Sequence, residues 1–338
     1  MLICANCFND SALKNHINYD SIEGIITKCP ICNLENVKCI EAEILSDPFV
    51  ELLDLYIEAD TDDSLFLHQR LQKDWNLFNN LSDKKSLSII KAIIIIPNWD
   101  ENLSKKWILK EDVTFQEEWK RFSEEIKHKN RFFITQPFQD TPFEIIWEFL
   151  NIKISQNTKL YRSRINPPNK RYNKNKMGKP PKEITLSGRA NPYGIPYLYL
   201  ASDRNTAISE VRPAKGQSVT VGYFKVLEDL NIINFRKVSP FELIFNSAYE
   251  RIENISILNN IITLINNRLS LPIDPKIADL EYIPTQYICE KIKSLNFDGV
   301  AFQSAMGTGI NYAIFDDNKL NCYTTRKHNI KDLAYTIE

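Results

Sequence analysis

The spacing of apolar side chains predicts that the first half of the chain, beyond a short N-terminal segment, is mostly helical. Phe115, Trp119, Phe122 and Ile126 follow one another at intervals of four, three and four residues. This spacing places them on one face of an amphipathic helix, opposite a charged face. A similar stripe runs through residues 67–78, so we expect helices over most of residues 46–150.

The second half has a different pattern, in which short apolar segments alternate with polar turns. The segments 159–165 (KLYRSRI), 196–201 (PYLYLA) and 299–303 (GVAFQ) have the length and composition of strands. Residues 203–210 (DRNTAISE) instead favour a helix, with Asp203 as its N-cap. Strands and helices that alternate in this way indicate a mixed α/β domain.

Glycine usage marks the same boundary. Only nine glycines occur in 338 residues, and eight of them lie between Gly178 and Gly309. Long helices need few glycines, whereas tight turns between strands need many. We therefore expect a multidomain chain with a small module at 1–45, an α-helical domain at 46–150 and an α/β (α+β) domain at 151–330.

Composition and charge exclude several classes of protein. The 42 basic and 43 acidic residues leave a net charge of −1, so no global field draws the chain onto nucleic acid or a membrane. The longest strongly apolar run, residues 89–97, is too short to cross a bilayer. The N-terminus lacks the basic and apolar regions of a secretory signal. The sequence thus predicts a cytoplasmic protein without a membrane partner.

Four of the seven cysteines form two CxxC pairs, Cys4 with Cys7 and Cys29 with Cys32. One such pair brings two thiolates onto a single ion, and two pairs complete a tetrahedral zinc site. Four sulfur ligands close the site to substrate, so the zinc would be structural. A module of about 40 residues is too small to fold on its hydrophobic core alone, so metal binding would supply the missing folding free energy. Two unrelated or redox CxxC motifs are the alternative.

A strongly basic stretch follows the first predicted strand of the α/β domain. Residues 159–182 contain nine basic residues, no acidic residue and four prolines that oppose a helix. A cationic loop after a strand is typical of an anion site or of a lid over one, although most of its lysines are expected to be solvated. We expect Arg162 and Arg164 to face opposite sides of the strand. One of them would then grip a phosphate bidentately in a cleft.

The stretch GRANPYGIPYLYLASDRNTAISEVRP joins a glycine turn, a tyrosine-rich strand and a helix that ends in a carboxylate. The turn keeps Arg189 and Asn191 close to the backbone. Tyr197 and Tyr199 are predicted to share one face of the strand. Glu210 ends the helix, and Arg212 is predicted to point to another face. An arginine can bind a diphosphate, and a tyrosine can pack against a ribose or a stacked ring. A carboxylate can stabilise a developing cation.

A second polar group lies downstream, in FDGVAFQSAMGTGINYAIFD. Ser304 ends a predicted strand, Gly307 and Gly309 form a flexible loop, and Asn311 begins the next strand. None of the four histidines falls in these motifs, so a Ser-His-Asp mechanism is disfavoured. The chain also contains neither a GxGxxG nor a GxxxxGK[ST] motif.

These segments resemble the RES domain family, which is named for an Arg, a Glu and a Ser. The matching elements are LYRSR, MGKPP, the long GRANPYG…SEVRP stretch and FDGVAFQSAMGTGIN, which together span about residues 155–325. The resemblance maps the family's Glu onto Glu210 and its Ser onto Ser304. Both Arg162 and Arg189 stay open as the family's Arg.

The resemblance implies an ADP-ribosyltransferase-like fold and an enzyme that consumes NAD. RES proteins are typically bacterial toxins that cleave the nicotinamide–ribose bond by hydrolysis or phosphorolysis, and many are held by a small antitoxin. On this basis we expect Glu210, Tyr199 and Ser304 to be catalytic. The residues expected to bind NAD are Arg162, Arg189, Asn191, Ser304 and Asn311.

A subgroup of the family carries a zinc-like or HEPN-like helical extension, which residues 1–150 resemble. The arginine and histidine of HEPN ribonucleases, five residues apart, are absent, so ribonuclease activity is not expected there. We expect this half to regulate the enzyme. The sequence leaves three further partners open. These are phosphate as the acceptor, an antitoxin or other inhibitor protein, and a second copy of the chain in a homo-oligomer.

Two other functions are weighed against NAD cleavage. The first is transfer of ADP-ribose to a macromolecule, which uses the same site. The second is a zinc-ribbon protein that binds nucleic acid without catalysis and uses the basic loop for phosphate contacts. Nucleic acid is disfavoured because residues 1–47 hold only three basic residues against seven acidic ones.

Overall fold

The computed structural model describes most of the chain. It leaves out residues 22–23, 98, 111–112, 136–146, 148–149, 237–238, 246–251, 271–272, 275 and 333–338, and the side chains of 20, 113–115, 243 and 252–260. Two compact units emerge from the contacts. The first comprises residues 1–113 and 238–260, and the second comprises 114–237 and 261–338. These bounds differ from the three predicted domains, because the 238–260 segment belongs with the N-terminal part.

The first unit contains two small sheets. Strands β1 (Leu2–Cys4), β2 (Ile25–Thr27) and β3 (Val37–Glu41) form one of them, in the order β1-β3-β2. Strands β4 (Tyr56–Glu58), β5 (Leu65–Phe66) and β6 (Lys106–Leu109) form the other, in the order β4-β6-β5. The second sheet departs from the predicted helical region, because strands of two to four residues are too short to show a period-2 pattern.

Helices occupy much of the rest of this unit, and the one at Leu67–Trp75 carries one of the two predicted apolar stripes. Phe241 and Phe49 pack at 4.9 Å, and the rings of Phe245 and His16 stack at 4.3 Å. These contacts tie the helix from the 238–260 segment to the N-terminal helices. The α-helices of the unit are Ser11–Asn15, Ser46–Leu53, Leu67–Trp75, Asp83–Ile93 and Pro240–Phe245.

The second unit is built on one eight-stranded sheet, which confirms an α+β fold. Its strands are β7 (Asn151–Ile154), β8 (Lys159–Ile165), β9 (Leu198–Ala201), β10 (Ser218–Val226), β11 (Leu230–Asn234), β12 (Gly299–Gln303), β13 (Ile310–Ile314) and β14 (Leu320–Asn329). Their order is β14-β10-β8-β9-β13-β12-β11-β7, and only β11 and β12 run parallel among the described pairs. The helices are Val113–His128, Arg204–Glu210, Ala278–Glu281, Ile283–Ser294 and, starting in the first unit, Ile252–Ser270.

The sheet splits between β8 and β9. Strand β8 pairs with β10 over seven residues, but it pairs with β9 only through Tyr161 and Ala201. Beyond Tyr161, β8 continues to Ile165 with no described strand bonded on that side. The two strands therefore part and leave a cleft in the middle of the sheet.

Apolar side chains fill the space behind this sheet. Leu160, Met177, Leu198, Ile232 and Ile314 belong to one buried cluster. Burial of such side chains supplies most of the stabilisation of a domain. Within the described ranges, no helix is both long and apolar enough to cross a membrane.

Candidate active site

A cavity of about 420 Å³ opens at the split in the sheet. Both separating strands line it, together with the turn that begins at Gly188 and the end of the helix Arg204–Glu210. The lining residues include Tyr161, Arg162, Ser163, Arg189, Tyr199, Glu210, Arg212 and Asn311. The motifs that the sequence singled out therefore converge on one concave site, which is where ligands usually bind.

Glu210 is held at the cavity wall by one of its two carboxylate oxygens. The Ser304 hydroxyl donates to Oε1 at 2.5 Å, and Asn311 Nδ2 donates to the same oxygen at 2.7 Å. Both partners are buried. No hydrogen bond reaches Oε2 from any residue in the described ranges. The carboxylate is thus fixed in orientation while one oxygen stays available to a ligand.

The loop that carries Ser304 is docked on the start of the Glu210 helix. Asp203 caps this helix as predicted, since its side chain accepts from Thr206 N at 2.8 Å. Burial opposes ionisation of Asp203, but hydrogen bonds from Thr206 offset it and keep the pKa below its usual range. Gly309 N donates in turn to Thr206 Oγ1 at 3.1 Å. A Cβ at Gly309 would lie 2.1 Å from Asp203 Oδ2, so the contact requires glycine.

Arg162 and Arg164 lie on the same face of β8. Each donates to the carbonyl oxygen of Gly178 at 3.0 Å. The prediction that they face opposite sides was wrong, because residues two apart on a strand share a face. Burial, followed by the nearby charge of Arg164, lowers the pKa of Arg162 to about 10. Arg162 therefore remains a cation at neutral pH, beside a second cation.

The basic loop after β8 is anchored to the sheet. Met177 is fully buried in the core, and Lys179 Nζ lies 2.9 Å from Asp317 Oδ1. Lys174 and Lys176 are exposed, as expected for solvated lysines. The contacts of Met177 and Gly178 make this loop a support for Arg162.

Arg189 is tied to the end of a helix. Its Nη1 donates to the carbonyl oxygen of Leu269 at 2.7 Å and also to that of Ser270. The Arg189 carbonyl in turn accepts from the Thr285 hydroxyl at 2.6 Å. The side chain still lines the cavity, so a helix C-terminus holds this cation at the wall.

Tyr199 lines the cavity, but its hydroxyl supports the neighbouring turn. It donates to Asn191 Oδ1 at 2.8 Å and accepts from Ala190 N at 3.2 Å. Burial raises the pKa of Tyr199 above its ordinary value. Tyr197 precedes β9 and packs on Phe315 at 4.8 Å, and it is not among the residues that line the cavity.

Asn191 is placed in the supporting turn instead of at the cavity wall. Its Nδ2 donates to the carbonyl oxygens of Leu186, Pro192 and Ile195 at 3.0–3.1 Å. A Cβ at Gly188 would lie 2.4 Å from Asn191 Oδ1, which explains the glycine that precedes Arg189. Asn191 therefore positions this turn.

Arg212 and Ser163 line the cavity although the sequence did not predict them there. Arg212 was predicted to point away from the face of Glu210, and this was wrong because it lines the same cavity. Ser163 is only 6% exposed, and its hydroxyl has no hydrogen-bond partner within the described part of the chain. The opening of the sheet beside β8, which no local sequence signal encodes, places Ser163 at the cavity.

The four cysteines of the CxxC pairs converge in the first unit. The Sγ atoms of Cys4 and Cys32 are 3.5 Å apart, those of Cys7 and Cys29 are 3.6 Å apart, and those of Cys4 and Cys7 are 4.0 Å apart. All four sulfur atoms lie within 4.8 Å of one another. Ligands at 2.3 Å from a tetrahedral zinc would be about 3.8 Å apart. The donor set and its spacing therefore fit a zinc ion.

A fifth cysteine, Cys39, lies opposite Cys4 in the β1–β3 pairing. It is fully buried, and burial followed by the charges of Cys29 and Cys4 raises its pKa to about 12. Cys39 therefore packs in the core of the first unit.

Comparison with known proteins adds the family. The RES domain model matches residues 159–338, which is more than half of the chain. No curated protein matches. Among solved structures, the chain is similar to a chain of the crystal structure of the M. tuberculosis MbcT-MbcA toxin-antitoxin complex. The identity is 14% and the TM-score 0.34, over 56% of this chain and 93% of that chain. By the extent of the family match, the chain belongs to the RES domain family.

Proposed function

We propose that this protein is an enzyme that cleaves the nicotinamide–ribose bond of NAD. The observation that carries the proposal is the Glu210 carboxylate, which Ser304 and Asn311 hold by one oxygen at the wall of an arginine-lined cavity. RES domain toxins process NAD, so membership of the family supports the same substrate.

The chemistry of the bond assigns a role to the carboxylate. When the bond from ribose C1′ to nicotinamide breaks, nicotinamide leaves as a neutral molecule with the electron pair of the bond. Positive charge then develops at the ribose ring, and a fixed anion beside it lowers the barrier. The free oxygen of Glu210 is that anion. Water or phosphate attacks C1′ from the open side, and the proton of water passes to solvent or to the carboxylate.

The remaining lining residues fit the other end of the dinucleotide. Arg162 and Arg189 provide two fixed cations for the diphosphate, since a guanidinium binds phosphate oxygens strongly. Tyr199 covers the ribose side of the cavity with its ring. Ser304 acts through Glu210, because its hydroxyl proton is committed to the carboxylate and its oxygen accepts from Met306 N at 3.2 Å.

We also propose that Cys4, Cys7, Cys29 and Cys32 hold a structural zinc ion. With four sulfur ligands the ion would have no open position for substrate, and its contribution would be to the folding of the first unit. The first unit would then regulate the enzyme in a bacterial toxin or defence effector, with an antitoxin or other inhibitor as partner.

Product analysis tests the proposed activity. Purified protein is incubated with NAD, with and without phosphate, and the products are identified by mass. Hydrolysis gives nicotinamide and ADP-ribose. Phosphorolysis gives nicotinamide and ADP-ribose phosphorylated at the same ribose carbon, and only when phosphate is present. Transfer to a macromolecule would appear as a mass increase on a protein or nucleic acid. Intact NAD in every reaction, with folded protein, would contradict the proposal.

A further inference from the structure

Arg212 is a third arginine of the cavity, and it stands apart from the other two. It follows Glu210 by two residues and lines the same cavity. Its side chain is exposed, and within the described ranges it has neither an ion pair nor a side-chain hydrogen bond. Arg162 and Arg189 each donate to backbone carbonyl oxygens. Arg212 therefore keeps all five N–H donors of its guanidinium for a ligand.

The backbone at Arg212 is unusual for this chain. Eight described residues other than glycine have a positive φ, and seven of them are asparagines. Asparagine tolerates the left-handed region because its short side chain bonds to nearby backbone. Arg212 is the exception, with a φ of 46°. A long side chain in this region costs free energy, and residues of this kind concentrate at functional sites.

The local chain explains how this conformation arises. The helix ends at Glu210, and Arg212 N donates to the carbonyl oxygen of Ser209 at 3.0 Å. Pro213 then prevents the helix from continuing. The left-handed residue turns the chain at the point where its side chain reaches the cavity. An asparagine would make the same turn with less strain, but it would bring no charge.

We propose that Arg212 is a substrate-binding residue that grips the diphosphate of NAD. This inference rests on the proposed function, because it takes NAD as the ligand. A guanidinium fork matches two phosphate oxygens, and the exposed position lets it close on the ligand after NAD has entered. Arg162 and Arg189 are held in place beforehand, whereas Arg212 would be fixed by the ligand itself.

The test uses the full chain with Glu210→Gln, so that NAD is bound but not consumed. Binding of NAD and of ADP-ribose is measured by calorimetry at several salt concentrations, with Arg212→Gln, Arg212→Lys and Arg212→Asn added in turn. Arg204→Gln is the matched control, because Arg204 is an exposed arginine at the start of the helix that precedes Arg212, and it does not line the cavity. Nicotinamide riboside serves as a ligand without a diphosphate.

We expect Arg212→Gln to weaken NAD and ADP-ribose alike by about 10- to 100-fold, the loss of a charge-assisted hydrogen-bonding pair. The salt dependence should fall, Arg212→Lys should keep part of the affinity, and nicotinamide riboside should be unaffected. Arg212→Asn should lose the same NAD affinity, while its melting temperature should rise because the strain is relieved. A purely structural arginine would not show this combination, because its replacement would leave NAD affinity unchanged.

Two outcomes would overturn the inference, and they are distinguishable. Unchanged NAD affinity on adding Arg212→Gln would overturn the role of Arg212 alone, provided that the Glu210→Gln protein binds NAD and the unsubstituted protein turns it over. If the unsubstituted protein neither binds NAD nor turns it over, the proposed function is overturned as well.

Discussion

At the scale of single residues, the charge of Glu210 is the feature to test. Glu210→Gln keeps the size of the side chain and its acceptor for Ser304, but it removes the negative charge. If that charge stabilises the positive ribose, NAD turnover should fall by about 10²- to 10³-fold, the scale for losing one preorganised electrostatic group. NAD affinity and melting temperature should change little. The measurement is single-turnover release of nicotinamide.

Glu228→Gln is the matched control for this prediction, since Glu228 is an exposed glutamate of the same unit outside the cavity. It should behave like the parent protein. If Glu210→Gln turns NAD over nearly as fast as the unsubstituted protein, the catalytic carboxylate lies elsewhere and the proposed mechanism is wrong.

The sequence predicted residue types better than residue orientations. Glu210, Ser304 and Asn311 were all expected at the site, and the structure joins them by hydrogen bonds to one oxygen. The direction of the Arg212 side chain was predicted wrongly, because helical spacing no longer applies beyond the end of the helix, where φ is positive. Asn191 was expected at the ligand, but its amide supports a turn, a distinction that depends on contacts far from its sequence neighbours.

At the scale of elements, the contact between the Gly309 loop and the Glu210 helix sets the geometry of the site. In Gly309→Ala, the new Cβ would meet Asp203 Oδ2 at 2.1 Å and Thr206 Oγ1 at 2.4 Å. We expect overpacking of this kind to cost about 1–3 kcal/mol. The displaced loop should also release Ser304 from Glu210, so turnover should fall together with the free energy of unfolding.

Gly178→Ala gives the comparison for this prediction. Gly178 also lies beside the site, but its nearest atom to an added Cβ is at 3.6 Å. Its carbonyl, which binds Arg162 and Arg164, is retained in the alanine variant. Melting curves and turnover of the two variants should therefore diverge. Equal stability of both would show that the Gly309 loop adapts without cost.

Elements were predictable where the pattern is long or the motif is specific. The strand at 159–165 and the helix capped by Asp203 both have the predicted character. The small sheet of β4, β5 and β6 was not predicted, because the short strands β4 and β5 both pair with β6, which is distant from them in sequence. The split between β8 and β9 could not be predicted from the sequence either, since strand pairing depends on the whole sheet and not on local periodicity.

At the scale of the whole molecule, the proposed zinc ion should stabilise the first unit. Elemental analysis should find one zinc per chain. Cys4→Ser with Cys29→Ser should remove it and lower the melting temperature of that unit, because metal-binding free energy is folding free energy in a small module. Cys322→Ser is the control, since Cys322 lies on β14 outside the cluster. A metal-free protein of unchanged stability would rule out the site.

The division of the chain into units also changes what a functional fragment should contain. The glycine pattern favours a fragment that starts near Asn151, where the α/β domain was predicted to begin. The second unit, however, starts at residue 114 and includes the helix Val113–His128. Phe122 of this helix is buried and packs edge-on against Tyr287 at 5.2 Å, and Lys127 Nζ lies 2.8 Å from Glu281.

A fragment of residues 151–338 should therefore be much less stable than the intact chain. Loss of a buried aromatic side chain costs about 3–5 kcal/mol, a large share of the 5–15 kcal/mol that stabilises a domain. The fragment 114–338 restores Phe122 and should melt at a higher temperature.

Both fragments leave Phe241 without Phe49, its partner in the first unit, so both should be less soluble than the full chain. Soluble yield and thermal melting of the three proteins decide this, and a 151–338 fragment as stable as 114–338 would show that the helix is dispensable.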